Sequence, residues 1–339
     1  MLFKKFRGVA IAVLSLAIVT FSFLDPSSEN PLSLPFIKKA HLNSLSGFAG
    51  PDGKILVVKI DDTSFARPQA GLEDADIVYI EQVEGGLTRL AAVFSHTIPE
   101  KIGPIRSARI TDIDLISQFG YVAFAYSGAQ SKFRPVIAGA NLKDVGAERL
   151  GAKFYKNAPE RQAPYAMMMN AQEVMATLSE KNEPIARAKN VGWRFGPAPD
   201  EGTEIVEVKI SWPAASYTAT WSPQEKRWLL SNSGVANLSE SGKQLGPTTL
   251  VIQNVLITNS EYHDKVGGIT PLSHLIGSGT GYILRDGRSF TATWSRDSEA
   301  SGTTWRDEKG REILFAPGQV WVALTDKTPL FTPKTGSQS

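Results

Sequence analysis

Three apolar runs between residues 55 and 94 constrain this chain more than any other feature. The run 55–60 stops at Asp61-Asp62, and the run 77–83 carries Glu81 and stops at Glu84-Gly85-Gly86. The run 87–94 holds Arg89 and leads towards Gly103-Pro104-Ile105-Arg106-Ser107-Ala108-Arg109. Short apolar runs bounded by turn residues read as buried strands. Charged groups at the ends of such strands are the usual way an α/β scaffold presents a site. Residues 110–119 and 171–181 carry helical patterns, the second with Asn170 placed as its cap, and residues 121–127 read as a further strand. Strand, strand, strand, helix, strand predicts a sheet of mixed direction over residues 51–196.

Arg194-Phe195-Gly196-Pro197-Ala198-Pro199-Asp200 breaks both periodicities and marks a boundary. Beyond it, alternation at 204–212 predicts a half-buried strand. Further strands are expected at 216–221, 227–231, 248–257, 281–285, 288–294 and 319–324, with a hairpin turn at Arg285-Asp286-Gly287-Arg288. The expected fold class is therefore α+β. An N-terminal mixed α/β domain (51–196) precedes a mostly antiparallel β domain (203–332). Tyr217-Thr218-Ala219-Thr220-Trp221 and Phe290-Thr291-Ala292-Thr293-Trp294 echo one another. They read as two platforms for one ligand or as two similar strands packing aromatics in one core.

The chain opens on a basic head, Lys4, Lys5 and Arg7, followed by an uncharged apolar run from Gly8 to Leu24. That run is at the short edge of the roughly 17 to 25 residues a bilayer span needs. No small-residue cleavage site follows it, so residues 1–24 are expected to be an N-terminal membrane anchor or signal. The positive head stays inside and the rest of the chain outside the plasma membrane. Residues 25–50, rich in Ser, Asn, Pro and Gly, read as a tether. The chain has no cysteine, which excludes disulfides, thiol catalysis and lipid attachment through an N-terminal Cys. With 36 Lys+Arg against 34 Asp+Glu, a net charge of +2 makes no case for nucleic acid.

The candidate chemistry gathers in the first domain. Arg106 and Arg109, three apart, would share a face of a helix started by Gly103-Pro104, a seat for phosphate or carboxylate. Alternatively they lock onto Asp112, Asp114, Glu81 or Glu84. Asp61, Asp62, Glu81 and Glu84 face Arg67, Arg89, Arg106 and Arg109, and matched charges favour salt bridges or a polar ligand over a catalytic carboxylate pair. Ser107 and Ser127 lie in no nucleophile elbow. The four histidines have no metal spacing, and His96 alone ends a strand near the cluster. Gly277-Ser278-Gly279-Thr280-Gly281 sits in β-patterned sequence and reads as a connection. Arg161 and Tyr165, before a run of three methionines, would add a second polar face.

These residues carry a resemblance. Asp61, Ala66-Arg67-Pro68-Gln69-Ala70-Gly71-Leu72, Glu84-Gly85-Gly86-Leu87-Thr88-Arg89 and Ile102-Gly103-Pro104-Ile105-Arg106-Ser107-Ala108-Arg109 resemble the YerB-like family of bacterial envelope proteins. The likeness continues through Ser127-Gly128, Arg161-Gln162-Ala163-Pro164, Thr293-Trp294-Ser295-Arg296 and Pro317-Gly318-Gln319-Val320-Trp321. It implies an envelope location and a domain of unknown function joined to a β-rich C-terminal domain, but no activity. Many members look like lipoproteins, and this chain departs there in lacking the cysteine. The first domain also faintly resembles LytR–CpsA–Psr phosphotransferases, without an alignable motif. The leading expectation is an anchored protein binding a cell-wall polymer or lipid-linked anion through Asp61, Arg67, Glu81, Glu84, Arg89, Arg106, Ser107, Arg109, Ser127 and Arg161. Two alternatives stand beside it: a hydrolase or phosphotransferase on envelope glycans or phosphodiesters, and a structural partner of another envelope protein. Cofactors are unknown, and no metal is assigned.

Overall fold

Continuous apolar runs fold as strands buried on both faces, and this chain has enough of them to build one large sheet. The structure, a computed structural model, describes residues 41–334. The expected anchor and residues 25–40 of the expected tether lie outside the described residues. Among the described residues no helix is long and apolar enough to cross a membrane. Residues 41–50, expected as the end of the tether, are instead folded. Asn43 donates to Ser95 Oγ at 2.8 Å and accepts from the Leu45 backbone, and Leu45 is fully buried. Short polar side chains that suggest a linker also satisfy a tight turn, and here they do.

The strands of the first half are β1 (Leu56–Asp61), β2 (Ile77–Gln82), β3 (Thr88–Phe94), β4 (Lys101–Ile102), β5 (Val122–Ala125), β6 (Leu142–Asp144), β7 (Tyr155–Asn157) and β8 (Met167–Asn170). The helices are α1 (Thr111–Ser117), α2 (Arg134–Gly139), α3 (Ala147–Leu150) and α4 (Ala171–Glu180). Asn170 caps α4 as expected, its side chain accepting from the Glu173 N–H. The second half adds β9 (Thr203–Trp212), β10 (Ala215–Ser222), β11 (Arg227–Asn232), β12 (Val235–Ala236), β13 (Thr249–Asn254), β14 (Ile257–His263) and β15 (Ile269–Ser273). It ends with β16 (Gly277–Arg285), β17 (Arg288–Arg296), β18 (Thr304–Arg306), β19 (Val320–Thr325) and β20 (Leu330–Pro333). Asp286 and Gly287 both take positive φ, 51° and 72°, as a two-residue hairpin between β16 and β17 requires.

A single mixed sheet runs β12-β11-β10-β9-β17-β16-β13-β19-β2-β3-β1-β5-β6. It passes without a break through both segments that the Pro/Gly stretch at 194–200 divides. β19 pairs parallel to β2, from Val320↔Ile77 to Ala323↔Ile80, and β13 lies parallel on its other side. The stretch itself is tied down: buried Arg285 donates to the carbonyls of Gly196 and Leu314 at 2.9 and 2.7 Å. The echoed aromatic strands pack as core, on different sides of the sheet. Tyr217 belongs to one apolar cluster, Phe290 and Trp294 to the other.

Alternation along β1 feeds two cores. Leu56, Val58 and Ile60 pack on one face with Val78, Ile80 and Leu90, while Val57 packs on the other with Ile77, Tyr79, Ala91 and Val93. Lys59 and Asp61 continue that second face. Register sets Asp61 opposite Arg89, and Arg89 opposite Glu81. The apolar face of the sheet thus turns ionic at one edge, where β1, β2, β5 and β6 all reach their C-terminal ends.

A split in the sheet positions the rest of the site. β1 and β5 pair in parallel up to Val58↔Ala125 and then part. Residues 105–108 enter the gap. The Arg106 N–H donates to the Lys59 carbonyl at 2.8 Å, the Ser127 N–H to the Arg106 carbonyl at 2.9 Å, and the Ala108 N–H to the Gly128 carbonyl at 3.0 Å. This corrects the expectation of a helix from Gly103-Pro104. The segment is extended because two parted strands offer it ladder partners on both sides, and α1 begins only at Thr111.

Candidate functional site

Each carboxylate of the ionic edge has found a cation or a hydroxyl. Lys59, fully buried, is paired with Glu81 and with Asp112 in the first turn of α1, the latter at 2.7 Å. Burial pulls its ammonium down to about 8, against the upward pull of Asp112. Asp61 holds Arg106 at 2.7 Å and also accepts from the Thr63 hydroxyl at 2.6 Å. Asp62 holds Arg67 at 2.9 Å and accepts from the Thr88 and Tyr217 hydroxyls. Glu84 holds Arg109 in a two-pronged pair, Nε and Nη2 both donating within 2.9 Å, and accepts from the Thr270 hydroxyl. The Arg109 backbone N–H donates to Asp112 Oδ2 at 2.6 Å.

Tyr217 and Thr270 come from the second half of the chain, so these bonds also lock the halves together. Removing the hydroxyl in Tyr217→Phe leaves a buried carboxylate short of a donor. It is expected to cost about 1–3 kcal/mol of unfolding free energy in urea, with no change of fold. A loss below about 0.5 kcal/mol would mean that Thr88 and Arg67 already satisfy Asp62.

Arg89 is the exception. It sits mid-edge between Asp61 and Glu81 in register, but those carboxylates turn to Arg106 and Lys59. Among the described residues Arg89 has no ion pair, and its one side-chain hydrogen bond runs from Nη1 to the Ser107 carbonyl at 2.9 Å. Burial first, then the nearby guanidiniums of Arg109 and Arg106, push it down to about 9, with Glu84 and Asp61 offsetting only part. It stays cationic at neutral pH, enclosed and crowded by like charge.

A cavity of about 820 Å³ opens over it. Its lining takes in Glu84, Arg89, Arg106, Ser107, Arg109 and Ser127, six of the ten residues picked out from the sequence. Ser107 and Ser127 face each other there, Oγ to Oγ at 3.5 Å. Arg67 and Arg161 line a neighbouring cavity instead. Asp61 and Glu81 are buried behind the wall, where they hold Arg106 and Lys59. His96 lies elsewhere, against the Ala49 carbonyl and the Phe48 ring.

One whole wall escaped sequence reasoning. The β14–β15 hairpin contributes Tyr262, His263, Asp264, Lys265, Val266 and Thr270 to the lining. It stands off the main sheet as a two-stranded arm. Tyr262 packs edge-on against Phe133 at 5.3 Å, and Thr270 bonds Glu84. The turn signal was present in Asp264-Lys265-Val266-Gly267-Gly268, but a turn does not reveal which distant edge an arm will cover.

The Glu84 pair makes stability sensitive to acid. Burial raises the Glu84 carboxyl, but the charge and hydrogen bonds of Arg109, with the Thr270 hydroxyl, outweigh it and leave a net lowering from 4.5. A lowered folded-state value means the contribution is present above the unfolded value and is lost as pH falls through the folded one. Urea stability is therefore expected to fall as pH drops below about 4.5, less steeply in Glu84→Gln than in the natural protein. Equal slopes in the two would show that other carboxylates carry the acid sensitivity.

Comparison with known proteins bears on most of the chain. A family model described as "Protein of unknown function (DUF3048) N-terminal domain" matches residues 48–184, and one described as "Protein of unknown function (DUF3048) C-terminal domain" matches residues 206–322. The chain is 25% identical over 285 residues to the "Putative lipoprotein YerB" of Bacillus subtilis (strain 168), covering 79% of this chain and 80% of that protein. The crystal structure of the YerB protein from Bacillus subtilis is similar with a TM-score of 0.71, over 86% of this chain and 99% of that one. At 19% identity, that likeness is one of fold.

Proposed function

The chain belongs to the DUF3048 family of YerB-like proteins, and on that premise we propose that it is an envelope protein whose cavity receives an anionic group. Arg89 carries this reading: a deep cation, crowded by two other guanidiniums, without a carboxylate of its own among the described residues and open to a cavity. A buried charge is tolerated when something neutralises it, and here the open side of the guanidinium leaves that role to a ligand. Planar forked donors suit a phosphate or carboxylate. Ser107 and Ser127 add hydroxyls, while Asp61 and Glu84 hold Arg106 and Arg109 in place beside it.

The setting follows from the relative and the sequence together. YerB is named as a lipoprotein; this chain lacks the cysteine a lipid needs. The apolar run after the basic head would serve as anchor instead, with the folded body outside the membrane. The ligand is then an anionic cell-wall polymer or lipid-linked anion of the envelope. The α+β division into a site-bearing first domain and a β-rich second one is part of the same proposal, the second contributing the arm and the lock residues.

A thermal-shift panel tests the reading: muropeptides, teichoic-acid fragments, prenyl phosphates, divalent cations and sodium sulfate with the full-length chain. Stabilisation by anionic compounds, weakening as salt rises, is expected. Stabilisation by divalent cations alone, lost in Asp61→Ala, would contradict it and favour a metal-assisted hydrolase.

A further inference from the structure

The neighbouring cavity, about 660 Å³, carries something the anion reading does not use. Phe65 stands on the short turn Ser64–Ala66 with 74% of its surface exposed. Exposing a phenylalanine forgoes the gain of burying it, yet this ring is held rather than loose. Arg161 pins the turn through the carbonyls of Ala66 and Pro68, at 3.0 and 2.5 Å. Phe65 stacks on Tyr165 with centroids 5.4 Å apart and planes 26° from parallel. Tyr165 in turn lies 5.7 Å from Arg106 Cζ, so a single aromatic ring separates the exposed platform from the anion cavity. Around it, Glu160 and Gln162 line the cavity with side chains that make no hydrogen bond among the described residues.

We infer that this second cavity is a subsite for a sugar ring, so that the ligand is an anionic glycan with its charge over Arg89 and a pyranose on Phe65. The chemistry selects the occupant. A pyranose presents an apolar C–H face, which suits the electron-rich face of an aromatic ring, and hydroxyls around its edge, which suit a free carboxylate and amide. An acyl chain or apolar peptide would leave the Glu160 and Gln162 side chains desolvated without partners. The linkage of the two subsites rests on the proposed anion cavity; the platform itself does not.

The test is calorimetric titration of the full-length chain and of Phe65→Ala with inorganic phosphate and with the 1-phosphates of the N-acetylglucosamine disaccharide and trisaccharide, which are long enough to reach past Tyr165. A neutral N-acetylglucosamine trisaccharide is followed by NMR. At least one sugar phosphate is expected to bind about fivefold to tenfold more tightly than phosphate, and Phe65→Ala should erase that gain while phosphate binding stays. Because Phe65 is exposed, the variant should fold as the natural protein does. Phosphate binding with no gain from the sugar, or a gain that survives Phe65→Ala, overturns the subsite and leaves the anion cavity standing. No phosphate binding, with trisaccharide shifts that vanish in Phe65→Ala, overturns the anion cavity and leaves the subsite. Neither phosphate binding nor trisaccharide shifts overturns both.

Discussion

Lys59→Met is expected to destabilise the protein by about 3–5 kcal/mol, the range for breaking a buried ion pair on one side. Lys59 is fully buried and faces two fully buried carboxylates, Glu81 and Asp112. Methionine fills much the same volume but leaves both acids without a cation. They must then stay charged in an apolar surrounding or take up protons, and either raises the folded state's free energy. Asp112 also receives the Arg109 backbone N–H, so the damage should reach the start of α1 and the floor of the cavity. A rescue separates charge from packing. Lys59→Met with Glu81→Gln and Asp112→Asn removes all three charges, and is expected to recover most of the loss, because a neutral replacement of a buried ionic group is often no worse than the original. Urea unfolding of the three-residue variant no better than Lys59→Met would assign the loss to packing.

Arg89→Met should behave in the opposite way. Removing a cation that has no carboxylate partner among the described residues, and that burial and its neighbours disfavour, is expected to leave the melting temperature unchanged or raise it. Arg109→Met, which strands Glu84, should lower it. Two arginines lining one cavity are thus predicted to differ in what their loss does to stability. A group that weakens the free protein yet seats a ligand trades stability for function. If Arg89→Met melts well below the natural protein, Arg89 is a structural clamp on the Ser107 carbonyl and the cavity has no poised cation.

Much of this arrangement was legible in the residues. The runs at 55–60, 77–83 and 87–94 formed strands because their apolar residues outweigh the charge that each carries at 59, 81 and 89. The acids at their ends and the arginines at 89, 106 and 109 did converge, since β1, β2 and β3 are neighbours in register. The Asp286-Gly287 turn and the Asn170 cap followed local rules that tertiary context did not override. Other features depended on partners that no local pattern encodes. The sheet continues across the 194–200 stretch because β19 and β2 satisfy each other's open edges. Residues 105–108 are extended because parted strands offered hydrogen bonds, which outweighed a helical spacing of the two arginines. Which arginine would lack a carboxylate was also hidden. Residue types predict that charges will pair, but only register and side-chain direction decide that Asp61 turns to Arg106 rather than to Arg89.

The account's central claim is that Arg89 is the seat of an anion, and sulfate tests it directly because its charge does not change near neutral pH. Calorimetric titration of sodium sulfate into the full-length chain at low ionic strength is expected to give saturable binding. In Arg89→Met that binding should weaken about tenfold or more, the range for losing a charge-assisted hydrogen bond, with the melting temperature held or raised. Equal affinity in the two proteins, or no sulfate binding by the natural chain, would contradict the claim.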